Sequence, residues 1–128
     1  MKILLDTHTF LWWTLEPGKL SQPVLTTCQD KENLILFSVA SAWEMQIKLQ
    51  SGKLKINLPL AEVIDRQRQD NNIEVLPVTL AHILALQSLP LHHKDPFDRL
   101  LIAQANVENA VLVSKDAVLG QYAVQLFW

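Results

Sequence analysis

The stretch KILLDTHTF, residues 2–10, decides the fold. Ile3, Leu4 and Leu5 run without polar alternation and stop at Asp6. A brief continuous apolar run closed by a turn-forming Asp-Thr reads as a strand buried on both faces. Such strands belong to parallel sheets covered by helices on each side. Working outward, Phe10 to Leu15 reads as an apolar helix ended by Glu16-Pro17-Gly18. Ser21 caps a second helix, with Pro23 in its first turn, running to about Gln29. Leu34 to Phe37 is a second strand, after which Ser38 caps a helix that Gly52 stops near Ser51. In that helix Ala40, Trp43 and Ile47 fall on one apolar stripe.

Leu60 to Asn71 reads as a helix, Ile73 to Val78 as a weakly alternating strand, and Thr79 to Gln87 as another helix. Asp95 caps a helix from Pro96 to about Asn109; Ala110 to Val113 is a strand, and Ala123 to Phe127 a last, edge-like one. Strands alternating with helices predict an α/β fold with a mainly parallel sheet. Its working site is expected beyond the carboxyl ends of the strands.

The chain has 128 residues, a length that fits one domain (residues 1–128) with a core of its own. Apolar residues make up 49%, which excludes a disordered chain. Cys28 stands alone, so neither an intramolecular disulfide nor a cysteine-based zinc site is available. That fits a reducing cytoplasm. The opening apolar run is broken too early, at Asp6, for a secretory leader, and no run is long enough to span a membrane. Thirteen acids against eleven Lys and Arg give a formal charge of −2, unlike a protein that coats nucleic acid. A nuclease remains compatible, because bound divalent cations reverse the sign of an acidic pocket.

Four carboxylates fall where this sheet would gather them: Asp6, Glu44, Asp98 and Asp116. Carboxylate oxygens are the ligands that hard cations such as Mg²⁺ prefer, and metal-activated water cleaves phosphodiesters. Each acid also has a plainer use. Asp6 can cap the next helix, and Asp116 a turn before AVLGQY. Glu44 can pair with Lys48 one turn later. Asp95 at the N-cap, Pro96 behind it and Asp98 at N3 make a good helix start. Asp95 is therefore either a cap or a ligand of the same site. Ser114 can donate to a carboxylate or phosphate oxygen, and Lys48, Lys94 or Arg99 can hold a phosphate backbone. His8, His82, His92 and His93 lack zinc spacing; His92-His93 is a loop near the site because it precedes Asp95. Trp12 and Trp13, about 100° apart on a helix, cannot share a face: one belongs in the core, the other at an interface. Leu126-Phe127-Trp128 is a similar interface signal.

LLDTHTFLWW, SAWEMQIKLQSGKL and HHKDPFDRLLIAQA followed by VLVSKD resemble PIN-domain nucleases, and among these the VapC-type toxins of bacterial toxin–antitoxin pairs. The resemblance covers nearly the whole chain; DPFDRLLIAQA is its most specific part. It implies a three-layer α/β/α sandwich with a four- to five-stranded parallel sheet, and RNA cleavage dependent on Mg²⁺ or Mn²⁺. By motif, Asp6 is the first-strand acid, Glu44 the acid of the WE helix, Asp98 that of the late helix and Asp116 that after the fourth strand, the most variable of the set. The resemblance also implies a homodimer silenced by a small antitoxin that threads a segment into the acidic groove, with the FLWW helix as a contact surface. Two rival readings exist. ILLDTHT is similar to the DxDxT opening of haloacid-dehalogenase phosphatases, with Asp6 as nucleophile, although His8 stands where the second Asp belongs. The other rival is a non-catalytic binding module whose acids only cap helices.

Overall fold

In the computed structural model, which describes residues 1–128, five strands form one all-parallel sheet in the order β3-β2-β1-β4-β5. The strands are β1 (Lys2–Leu5), β2 (Leu34–Ser38), β3 (Glu74–Leu76), β4 (Val111–Val113) and β5 (Leu126–Phe127). The helices are α1 (Thr7–Leu15), α2 (Gln22–Gln29), α3 (Val39–Gln50), α4 (Leu60–Asn71), α5 (Leu80–Ala85) and α6 (Pro96–Glu108). The unbroken apolar runs explain the layering. Ile3 and Leu5 face one core with Phe37, Phe10 and Trp13 of α1, Val24 of α2 and Val63 of α4. Leu4 points the opposite way, with Leu36 and Leu112, onto Leu101, Ile102 and Ala105 of α6. Cys28 packs in the first core, and burial pushes its thiol up to about 11, so it serves as a small apolar group. No helix is long and apolar enough to cross a membrane.

The strand order creates the crevice. The chain builds outward from β1 through β2 to β3 and then returns to β1's other side with β4. The direction of winding therefore reverses between β1 and β4, and ligands of parallel sheets bind beyond that point. Asp6 N–H extends the β1–β4 ladder by donating to Val113 O at 3.1 Å, and Thr9 Oγ1 donates to the same carbonyl at 3.3 Å. Helix α3 leaves β2 with no loop, because Ser38 both ends the strand and caps the helix through Ala40 N–H. That placement lets α3 touch both α1 and α6 over the crevice.

Several elements differ from the sequence reading. Helix α1 begins at Thr7, three residues earlier than expected, because Asp6 is its N-cap. Strands β3 and β5 are shorter than the stretches 73–78 and 123–127. Helix α5 lasts six residues and tightens into a 3₁₀ turn at Leu86–Ser88. The stripe through Ala40, Trp43 and Ile47 is not the core face of α3: Trp43 is 62% exposed and Ile47 42%. The buried face is Ala40, Ser41, Glu44 and Met45, and two of these are polar, so hydrophobic periodicity points to the wrong side.

A buried polar knot fastens α5. His82 is fully buried; its Nδ1 accepts Thr79 N–H at 3.0 Å and its Nε2 lies 2.8 Å from Glu108 Oε2. Gln104 extends the knot to Pro77 O and to Ser38 Oγ at the end of β2. Truncating His82 removes a buried partner from each neighbour. His82→Ala should lower unfolding free energy by about 1–3 kcal/mol in a urea titration; a change below about 0.5 kcal/mol, the size of an ordinary surface effect, would show that the knot is idle.

Candidate active site

Asp6 lies at the end of β1 and is 5% exposed. Its Oδ1 accepts Thr9 N–H at 2.8 Å, the expected cap. Oδ2 makes no protein hydrogen bond, so capping uses only half of the carboxylate. Asp116 repeats this arrangement after β4. Its Oδ1 accepts Val118 N–H at 3.0 Å, while its Oδ2 lies 3.3 Å from His93 Nε2. Ser114 sets that turn, with its Oγ accepting Asp116 N–H at 3.1 Å. Asp95 caps α6 with one oxygen, accepting Phe97 N–H at 2.8 Å and Asp98 N–H at 3.3 Å. Asp98, released from capping by Asp95, turns its Oδ2 to within 2.9 Å of His93 Nε2.

Glu44 comes from α3 and is 6% exposed. Its Oε1 accepts from Thr7 Oγ1 at 2.7 Å, and its Oε2 pairs with Lys48 Nζ at 3.1 Å. The i,i+4 pair expected from sequence is present, but on the buried side of the helix. Thr7 Oγ1 also lies 3.0 Å from Ser41 Oγ, whose hydroxyl is free to donate to it, tying α1 to α3. The hydroxyl of Thr7 was not distinguishable in the sequence from an ordinary first-turn residue.

The acids feel one another. Asp98 is pushed up to about 7, first by burial, then by Asp95, with Asp6 and Glu44 adding to the rise and His93 opposing it. The tightest group, however, is His93, Asp98 and Asp116, whose ligand atoms all lie within 4.8 Å of one another. Asp6 and Glu44 flank this group and are not part of it. His93 is the member that sequence spacing missed, since it lies in a loop with no periodicity. The loop is bolted down by Tyr122, whose hydroxyl accepts His93 N–H at 2.8 Å. Arg99 braces the same loop through Nη1, which donates to Pro90 O at 2.8 Å and to Tyr122 Oη at 3.3 Å.

His93 Nδ1 accepts Asp95 N–H at 3.3 Å, which puts the ring hydrogen on Nε2. That buried Nε2 faces two carboxylates without a well-directed hydrogen bond to either. A proton-bearing nitrogen is not a metal ligand, so in this tautomer His93 turns an N–H, and not a lone pair, toward the acids. Asp98 and Asp116 each turn one oxygen into this group, and Asp6, with Oδ2 free of protein hydrogen bonds, is near enough to act on Asp98; carboxylate oxygens of this kind suit a hard divalent cation. The raised pKa of Asp98 points the same way, because a cation would offset the charge its neighbours disfavour.

The PIN-domain family model matches residues 3–125. The chain belongs to the PIN-domain family. Ribonuclease VapC22 of Mycobacterium tuberculosis is 27% identical over 122 residues, covering 94% of this chain and 91% of that protein. The fold is similar to that in VapBC2 of Rickettsia felis bound to a promoter DNA fragment, with a TM-score of 0.77, 18% identity, and coverage of 99% and 98% of the two chains. VapBC-1 of nontypeable Haemophilus influenzae gives a TM-score of 0.64 at 16% identity, over 99% and 97% of the chains. Membership in this family sets aside the haloacid-dehalogenase reading. The structure agrees: the position where that motif needs a second acid holds His8, an exposed residue on α1.

The ionisation of Asp98 makes a pH prediction. Without a bound cation, folded Asp98 keeps its proton up to about pH 7, against 3.8 for an ordinary Asp. Between those values the folded chain binds more protons than the unfolded one, so stability falls as pH rises. The contribution is full below about pH 4 and lost through about pH 7. Metal-free protein should therefore lose melting temperature between pH 5 and pH 8 more steeply than Asp98→Asn. Parallel curves for the two proteins would contradict the assignment.

Proposed function

We propose that this chain is a metal-dependent endoribonuclease of the VapC type, the toxin of a toxin–antitoxin pair. The observation that carries the reading is the closeness of Asp98 and Asp116 at the sheet edge, with Asp6 and Glu44 near enough to act on Asp98. The family match and the VapC22 relative support RNA as substrate. Asp6, Asp98 and Asp116 would hold the cation, Mg²⁺ or Mn²⁺. When bound, the ion lowers the pKa of water and offsets charge growing on the phosphate.

The chain's own groups do the rest. Glu44, steadied by Thr7 and Lys48, orients the attacking water or completes the ligand set. Asp95 and Ser114 are positioning residues: one frees the Asp98 carboxylate from capping, the other shapes the turn that presents Asp116. Lys94, exposed at the mouth, is placed to meet phosphate oxygens. Attack by water rather than by the ribose 2′-hydroxyl leaves a 5′-phosphate and a 3′-hydroxyl.

The biological setting follows from the same reading. The whole of residues 1–128 works as one nuclease domain in the cytoplasm, as a homodimer silenced by a cognate small antitoxin. The printed descriptions of both structural relatives, as VapBC proteins, support a partner of that kind. The FLWW helix offers that partner less than its composition promised. Phe10 and Trp13 are in the core, and Trp12 is covered edge-on by Trp128 at 5.8 Å.

Asp6→Asn should fold normally and lose RNA cleavage by at least about two orders of magnitude, the scale of losing a principal group that acts on the transition state. Excess EDTA should do the same to the unaltered chain, and the products should carry 5′-phosphates. Unchanged cleavage in either experiment would refute the mechanism.

A further inference from the structure

Beside the acidic crevice the surface changes sign. A groove of about 480 Å³ is lined by three lysines, Lys48, Lys53 and Lys94, against two acids, Glu44 and Asp95, with Phe97 among them. Lys48 is engaged by Glu44, but Lys53 and Lys94 are exposed and enter no ion pair. Two free ammonium groups on one short groove are notable in a chain of net charge −2. They supply an anion-attracting wall next to a pocket that by itself repels anions.

An aromatic pair borders the groove, with Phe97 in its lining and Trp43 packed on Phe97 from outside it. Trp43 is 62% exposed, and its ring meets Phe97 edge-on, with centroids 5.2 Å apart and planes at 77°. Trp43 precedes Glu44 and Phe97 precedes Asp98, so the pair is one residue removed from two of the clustered acids. The contact with Phe97 holds the indole while leaving most of it in water. Core packing does not explain a tryptophan so placed, since the buried side of α3 is occupied by Ala40, Ser41, Glu44 and Met45. Aromatic faces beside basic groups are the common equipment for binding unpaired nucleotides.

We propose that Trp43, Lys53 and Lys94 form a subsite for an unpaired nucleotide flanking the phosphate that is cut. The base stacks on the indole, and the two ammonium groups take the adjoining phosphate. The subsite requires an unpaired base, because the bases of a continuous duplex are stacked within the helix and cannot reach the indole. The cut phosphate rests on the nuclease reading above; the binding itself does not.

The test uses the full chain, a short labelled single-stranded RNA and the same strand in a duplex. Binding is followed by fluorescence anisotropy at low salt in EDTA, and cleavage by steady-state rates in Mg²⁺ or Mn²⁺. Trp43→Ala should weaken single-strand binding about tenfold, the loss of one base–aromatic stack. It should raise KM by a similar factor and leave kcat near its original value, and Trp43→Phe should restore most of the loss. Lys53→Ala with Lys94→Ala should flatten the salt dependence of affinity by about one to two in log–log slope. The single strand should bind more tightly than the duplex. Equal affinity for both forms, no binding of the single strand by the unaltered chain, or unchanged KM and affinity in Trp43→Ala would overturn the subsite. So would a Trp43→Ala chain that changes only its oligomeric state, which would assign the indole to contacts between copies. A chain that binds single strands through Trp43 but cuts nothing would refute the nuclease reading and keep the subsite. Cleavage indifferent to Trp43 would do the reverse.

Discussion

Asp98 is held where burial, Asp95, Asp6 and Glu44 all disfavour its charge, and only His93 favours it. Every other feature of the crevice is arranged around that electrostatic load. The sheet order brings β1 and β4 side by side, so that Asp6 and Asp116 leave the same edge. Helix α6 then starts above them, and α3 lays Glu44 across from α1. A cluster of like charges with low exposure is tolerable when something positive shares it. His93 turns its Nε2 toward two of the carboxylates from a loop fixed by Tyr122 and Arg99. A divalent cation would supply the positive charge.

Capping and function are not rivals here. Asp6, Asp95 and Asp116 each use one oxygen to satisfy amides at a helix or turn start. That hydrogen bond fixes the carboxylate plane and leaves the other oxygen with a defined direction. For Asp116 that direction is toward His93 and Asp98. Asp95 does a different job, since by taking the cap of α6 it frees Asp98 at N3 for the site. A binding module whose acids only cap helices would have no reason to crowd Asp98 and Asp116 within ligand distance of His93.

The layered, parallel fold, with Asp6 and Asp116 after strands and Asp98 in the first turn of a helix, was legible in the sequence because it rests on local rules. Continuous apolar runs such as ILL mark doubly covered strands, and Ser38 and Asp95 announce the starts of α3 and α6. What was not legible depends on tertiary position. The buried face of α3 carries Ser41 and Glu44, so its apolar stripe pointed outward with Trp43. His93 has no sequence signal beyond its neighbour Asp95, and its place is set by a hydrogen bond from a residue far along the chain. The brace that Arg99 gives the same loop also depends on tertiary position. The FLWW helix divides as its spacing suggested: Phe10 and Trp13 are core, while Leu11 and Trp12 are only half-buried.

The central claim is that the acids of β1, α6 and the turn after β4 together hold one or more divalent ions. Diffraction from crystals of the full chain soaked in Mn²⁺, recorded at an energy where manganese scatters anomalously, tests it without reference to activity. The account predicts an anomalous peak between the carboxylates of Asp6, Asp98 and Asp116, lost in Asp6→Asn. A soaked crystal with manganese only on outlying surface acids, and none in the crevice, would contradict it.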